Sequence, residues 1–162
     1  IHGILEYSAA NSSELDDSKV DLNTVITDIG ETIYIPENVN LVVPKTLPTI
    51  VADRIKMHQV FQNIIGNAVV HIEKEIGVVE VLFKDLGDQW QFTISDNGVG
   101  IPKEYHKKIF DIFQSISTNE RSTGIGLSIV KKIIDRYSGT VWVDSIVGEG
   151  TKFHFTIKKN EI

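Results

Sequence analysis

The chain has 162 residues, 41% hydrophobic and 23% charged, which suits one soluble globular domain with a single core. No apolar run approaches the roughly 20 residues needed to cross a bilayer, and the start carries no signal-peptide pattern. A formal net charge of -6 argues against broad nucleic-acid binding, and the absence of cysteine excludes a disulfide framework or thiolate zinc site; together these fit a cytoplasmic protein with no direct membrane contact.

Ile1, Ile4, Leu5 and Ala9 have helical spacing without a preceding N-cap, so residues 1–10 read as the tail of a helix. The polar run 11–18 reads as a linker or as a plain surface loop. The expected division is therefore 1–18 and 19–162. Val20 and Leu22 predict a short strand. Val25, Ile26, Ile29 and Ile33 recur at helical spacing and stop before Pro36. Val39, Leu41 and Val43 alternate as a strand does, and Thr49 to Ala52 predicts another. Asp53 is placed to cap a helix reaching about Ile72, with Ile55, Val60, Phe61, Ile64, Ile65 and Ala68 as its apolar stripe. Gly77 to Lys84 and Gln89 to Ser95 predict a hairpin around Leu86-Gly87-Asp88. A looser stretch follows to Thr123, then a helix from about Gly124 to Tyr137. A last hairpin joins Gly139–Ser145 to Thr151–Lys158. The strands outnumber the helices and mostly come as hairpins. The expected fold is an α/β two-layer sandwich, with helices packed on one face of a mixed, mostly antiparallel sheet.

Three segments carry chemistry. Asp96 shares the parity of Trp90, Phe92 and Ile94, so it points to the buried side of its strand. A carboxylate there needs a hydrogen-bonding partner. The amino group of adenine would supply one, and Gly98 and Gly100 would let the backbone approach a flat base. A strand ending in an ordinary Asp-Asn-Gly turn explains the same residues. Asn63 and Asn67 are one helical turn apart, at the rim of the apolar stripe. Asparagine oxygens there can complete a magnesium shell beside phosphate oxygens, or be simply solvated. His71 lies one turn further on. Ser122-Thr123-Gly124-Ile125-Gly126-Leu127-Ser128 opens a helix and offers backbone N–H groups to an anion. No Lys-Ser or Lys-Thr follows, which excludes a P-loop, and no strand precedes, which excludes a dinucleotide fingerprint. Residues 114–123 read as a lid over a site. Phe110 and Phe113 before it read either as anchors for that lid or as core residues.

In this order and spacing the chain resembles the catalytic, ATP-binding domain of sensor histidine kinases, in the superfamily shared with gyrase and the MutL-type ATPases. Asn63 to Asn67 resembles the family's N box, and Asp96 to Gly100 its first glycine box. Phe110 to Phe113 resembles the F box, Thr123 to Leu127 the second glycine box, and Gly148-Glu149-Gly150-Thr151 the final one. The match covers roughly residues 20–158. Ile4 to Ser8 is similar to the end of the dimerisation helix that precedes this domain, and Gly139 to Ile157 looks nearest to phytochrome-like kinases. The resemblance implies a Bergerat-type ATP-binding fold with ATP and Mg²⁺ as cofactors. It implies a nucleotide site of Asn63, Asn67, His71, Asp96, Gly98, Gly100, Ile101, Thr123, Gly124, Ile125, Gly126, Leu127 and Thr151. Asp96 would hold the adenine amino group and Asn67 the metal. The implied partners are the protein's own dimerisation and phosphoacceptor domain and a response-regulator receiver domain, within a homodimer. The γ-phosphoryl group would pass to a histidine on that dimerisation domain, which this chain lacks.

Within the superfamily, hydrolysing members carry a glutamate base where Asn63 stands, and an amide cannot take a proton from water. Three positions depart from the family pattern. Val70 replaces a basic residue three after the second asparagine. Ser115 replaces a basic residue two after the second Phe. Ser122 replaces the first glycine of its box. These departures leave a second reading: a degenerate kinase-like domain acting as a regulatory or dimer-partner module.

Overall fold

The computed structural model describes residues 15–111 and 126–160. Strand β1 (Asp17–Asp21) leads directly into helix α1 (Leu22–Thr32). Asp21 ends the strand by capping the helix, its carboxylate accepting the Asn23 N–H at 2.9 Å. Leu22, expected in the strand, is therefore the first helical residue and is fully buried. Asp17 and Ser18, read as linker, pair with Asp53 and Ala52 of β3 (Thr49–Asp53). Strand β2 (Val39–Val42) lies between α1 and β3 in the chain.

Asp53 caps the long helix α2 (Arg54–Val70) as expected, accepting from the N–H groups of Ile55 and Lys56 at 2.9 and 3.2 Å. Ile55 departs from the expected stripe: it is 71% exposed. Six residues before Phe61, it is rotated about 120° from the buried face. Strands β4 (Gly77–Asp85) and β5 (Gln89–Asp96) form the first hairpin. Two 3-10 turns follow (Lys103–Tyr105 and Lys108–Phe110). Helix α3 (Gly126–Arg136) precedes the second hairpin, β6 (Val141–Ile146) and β7 (Gly150–Lys158).

Among the described residues the main sheet runs β2-β4-β5-β7-β6, with only β2 and β4 parallel, and β1 and β3 form a separate antiparallel ribbon. The apolar faces of the three helices cover one side of the sheet. Phe61 of α2 meets the edges of Phe92 and Phe155 with centroids 5.6 and 5.4 Å away. Phe110 is buried against Phe153; Phe113 lies outside the described residues. Each such side chain contributes about 1.5–3 kcal/mol on burial. The result is the expected two-layer arrangement. No helix among the described residues is long and apolar enough to cross a membrane.

Helices α2 and α3 run antiparallel. At one end a methyl group on Gly126 would lie 3.0 Å from Asn63 Oδ1. At the other, the buried Tyr137 hydroxyl accepts the Asp53 N–H and donates to Asp17 Oδ1, both at 2.8 Å. Asp53 Oδ2 accepts the Asp16 N–H at 2.9 Å. The entering chain, the start of α2 and the end of α3 are thus tied at one place.

Candidate functional site

The end of β5, the C-terminal half of α2, the β6–β7 turn and the start of α3 converge on the helical side of the sheet. Asp96 closes β5 with the parity of Phe92 and Ile94, stands opposite Val79 and Thr151, and is only 8% exposed. Its Oδ1 accepts the Gly98 N–H at 2.8 Å. Burial pushes the Asp96 carboxyl up to about 6, against the opposing pull of the Gly98 N–H and of His71 nearby. A carboxylate so placed gains from any further N–H donor brought to it.

Gly98 is packed where no side chain fits: a Cβ would lie 2.7 Å from the His71 carbonyl oxygen and 2.8 Å from Asp96 Oδ1. Val99 N–H donates to that same His71 carbonyl at 3.0 Å, joining the end of α2 to the turn after β5. Gly100 takes a φ of +80°, and a Cβ on it would run into the Ile146 carbonyl. The turn is held from the other hairpin. Gly148 N–H donates to the Val99 carbonyl at 2.8 Å. Buried Ile101 donates its N–H to Ser145 Oγ at 2.7 Å, and Ser145 in turn contacts buried Thr151 Oγ1 at 2.8 Å.

Asn63, Asn67 and His71 line one side of α2, a turn apart and each half-buried. His71 Nδ1 donates to the Asn67 carbonyl at 2.7 Å. In the neutral ring this leaves Nε2 as an acceptor, and Nε2 is buried without a partner. Helix α3 is described from Gly126, which lies beside Asn63, so the N-terminal end of the described helix adjoins the amide row. Leu127 is half-buried against the core.

The structure therefore brings Asp96, Gly98, Gly100, Ile101, Thr151 and His71 into one interlocked group, with Asn67, Asn63, Gly126 and Leu127 extending from it along α2. Thr123, Gly124 and Ile125 lie outside the described residues. Two supporting residues went unnoticed in the sequence. Asn97 Oδ1 accepts the Val78 N–H at 2.8 Å and its Nδ2 donates to the Ile76 carbonyl at 2.9 Å, pinning the start of β4 to the end of β5. Ser145 is the other. Asn97 sits in a turn and Ser145 near the end of β6, where a polar residue reads equally well as solvated. A cavity of about 470 Å³ also touches Asp96 and Thr151, but it is lined by Glu80, Ser95, Asp144 and Lys152. Those side chains stand on the other face of the sheet, so this is not the space bounded by α2 and α3.

Among the described residues no group of three His, Asp or Glu side chains could hold a metal ion. A divalent cation here would rest on amide oxygens and on the oxygens of its own ligand, which is the donor set a phosphate-bound magnesium accepts. The unpartnered His71 Nε2, the glycine cradles and the buried Asp96 fit a flat base with an amino group. The amide row leading to a helix N-terminus fits its phosphates.

Residues 52–161 match the family described as histidine kinase-, DNA gyrase B-, and HSP90-like ATPase. Cyanobacterial phytochrome A of Nostoc sp. strain PCC 7120 is 42% identical over 113 residues, which is 68% of this chain but 15% of that protein's length. Among solved structures, the nucleotide-free catalytic domain of histidine kinase ThkA is 28% identical with a TM-score of 0.73, over 89% of this chain and 96% of that one. Full-length ShkA in complex with AMPPNP gives a TM-score of 0.80 at 24% identity, over 99% of this chain and 36% of that one, a likeness of fold.

Proposed function

Because the chain belongs to the histidine kinase-, DNA gyrase B-, and HSP90-like ATPase family, we propose that it binds Mg-ATP between α2, α3 and the end of β5, for transfer of the γ-phosphoryl group to a histidine outside this chain. The observation that carries this reading is the buried Asp96, locked through Gly98 to the His71 end of the helix that displays Asn67 and Asn63. Bound Mg-ATP supplies the transferable phosphoryl group, with the metal neutralising charge on its oxygens.

The chain's own residues position it. Asp96, ionised, accepts from the adenine amino group. Gly98 and Gly100 bring backbone against the base, and His71 Nε2 offers a second acceptor. Asn67 Oδ1 is the metal ligand in this reading, Asn63 lies by the phosphates, and Thr123 to Leu127 are counted among the nucleotide-binding residues. An amide at Asn63 cannot activate water, so the site favours transfer to an incoming nucleophile over hydrolysis. The partners in this reading are a dimerisation domain bearing the acceptor histidine and a receiver domain that takes the phosphoryl group onward, in a homodimer. The catalytic unit in this reading begins with β1; the expected end of a dimerisation helix, residues 1–10, lies outside the described residues. Its setting is the cytoplasm.

Calorimetric titration with ATP, with and without Mg²⁺, tests the reading. Magnesium-dependent binding at micromolar to submillimolar Kd, about −8 to −5 kcal/mol, is expected. A folded protein that binds nothing up to several millimolar would refute it. Val70 favours the second reading, a degenerate regulatory module, because it ends α2 without the cation that the family pattern places there. The same null titration is the outcome that reading expects.

A further inference from the structure

Ser145 on β6 and Thr151 on β7 are register partners on the helical side of the sheet, in line with buried Val143 and with buried Phe153 and Phe155. On its other flank Thr151 is the register partner of Asp96, so the two side chains start about 5 Å apart at Cβ. The Thr151 N–H is also one of the pulls that oppose the burial of the Asp96 carboxyl. The Thr151 side chain thus borders the carboxylate at the base end of the site.

What Thr151 offers there is fixed by the protons available. A serine hydroxyl has one proton and two lone pairs. Ser145 Oγ has three partners: it accepts the Ile101 N–H at 2.7 Å, donates to the Gly150 carbonyl at 2.9 Å and lies 2.8 Å from Thr151 Oγ1. An N–H only donates and a carbonyl only accepts, so the Ser145 proton and one lone pair are committed. The second lone pair faces Thr151, and Thr151 is the donor in that contact. Thr151 Oγ1 then has no proton left to give and is an acceptor toward anything else. Beside it Asp96 is an acceptor when ionised, and the buried His71 Nε2 is an acceptor in the neutral ring. We propose that Ser145 is a positioning residue for base recognition: by taking the Thr151 proton it holds Thr151 Oγ1 as an acceptor beside Asp96, so that this end of the site selects a base edge bearing an amino group over one bearing a carbonyl oxygen. The inference rests on the nucleotide reading above and deepens it. Without the Ser145 hydroxyl, Thr151 is free to turn and donate, and a carbonyl is tolerated.

Calorimetric titration of the full 162-residue chain, and of its Ser145→Ala variant, with Mg-ADP and with Mg-IDP tests this, because hypoxanthine carries a carbonyl where adenine carries the amino group. The wild type is expected to prefer Mg-ADP, and Ser145→Ala to narrow that preference about five- to tenfold, as for one hydrogen bond. Thr151→Val keeps the shape of the side chain without its lone pairs and decides the question if the alanine loosens the Ile101 turn. It should weaken Mg-ADP about five- to tenfold and leave Mg-IDP within about twofold. Three results overturn the role of Ser145 while the nucleotide site stands: a wild type that holds both nucleotides equally, a folded Ser145→Ala chain that keeps the preference, or a Thr151→Val chain whose Mg-ADP affinity falls no further than its Mg-IDP affinity. A wild-type chain that binds neither nucleotide overturns the site and Ser145 together.

Discussion

Replacing Asp96 with asparagine is expected to make the nucleotide-free protein more stable at neutral pH while weakening its hold on adenine. Burial raises the folded-state carboxyl to about 6, against about 3.9 in an unfolded chain. That gap corresponds to about 3 kcal/mol. The sign is the reverse of a salt-bridged carboxylate. Between about pH 4 and pH 6 the folded protein keeps a proton that the unfolded chain has lost. The stability this group contributes is therefore full at low pH and is lost as the pH rises through about 6. Asparagine keeps an oxygen for the Gly98 N–H and removes the buried charge. One amide N–H without a buried acceptor offsets about 1–2 kcal/mol of the gain. A net stabilisation of about 1–2 kcal/mol at pH 7.5 follows. Urea unfolding of both proteins at pH 7.5 and pH 5 measures it, with the difference between them expected to move by about 1–1.5 kcal/mol toward the wild type at the lower pH. A difference that stays constant across that range would refute the reasoning. ATP affinity should fall by about tenfold or more in the same variant.

Three further outcomes are expected. Asn67→Ala should abolish the magnesium dependence of nucleotide binding, read by titration with and without the metal; dependence that survives removes Asn67 as a ligand. Gly100→Ala should destabilise by about 2 kcal/mol or more in urea, because φ is +80° and the new Cβ meets the Ile146 carbonyl; an unchanged midpoint would contradict that geometry. Tyr137→Phe leaves the Asp53 N–H without its acceptor and Asp17 without its donor. A loss of about 1–3 kcal/mol is expected by thermal unfolding, and no loss would mean that water replaces the hydroxyl.

Much of this fold is legible in local pattern, because its elements obey local rules. Asp53 announces the start of α2 by its position before an apolar stripe, and alternation along β5 tells which way Asp96 points. The errors are also local. Leu22 looks like a continuation of Val20 until Asp21 is recognised as a cap. Ile55 is apolar and near the stripe, yet its rotation about the helix puts it in water. Pairing is harder to read. That β2 runs parallel to β4, or that β5 joins the two hairpins by pairing with β7, depends on contacts far apart in sequence. The same limit applies to the site. Asn63 and Asn67 show themselves by spacing, whereas the buried, unpaired Nε2 of His71 is not visible until the fold is known. Asn97 likewise becomes visible only when β4 is paired with β5, and Ser145 only when the second hairpin is laid against the first.

The knot of Asp16, Asp17, Asp53 and Tyr137 lies at the far ends of α2 and α3 from the candidate site. The two helices are in that sense the arms of a pair of tongs, riveted where the chain enters and open where the nucleotide is placed. Helix α2 has 17 residues and is about 25 Å long, so a tilt of about 5° at the rivet carries its other end about 2 Å. That is more than a hydrogen bond tolerates. Small adjustments where the chain arrives at the rivet are thus magnified into the position of the His71 end of α2, through a rigid lever and without any group at the rivet touching the nucleotide.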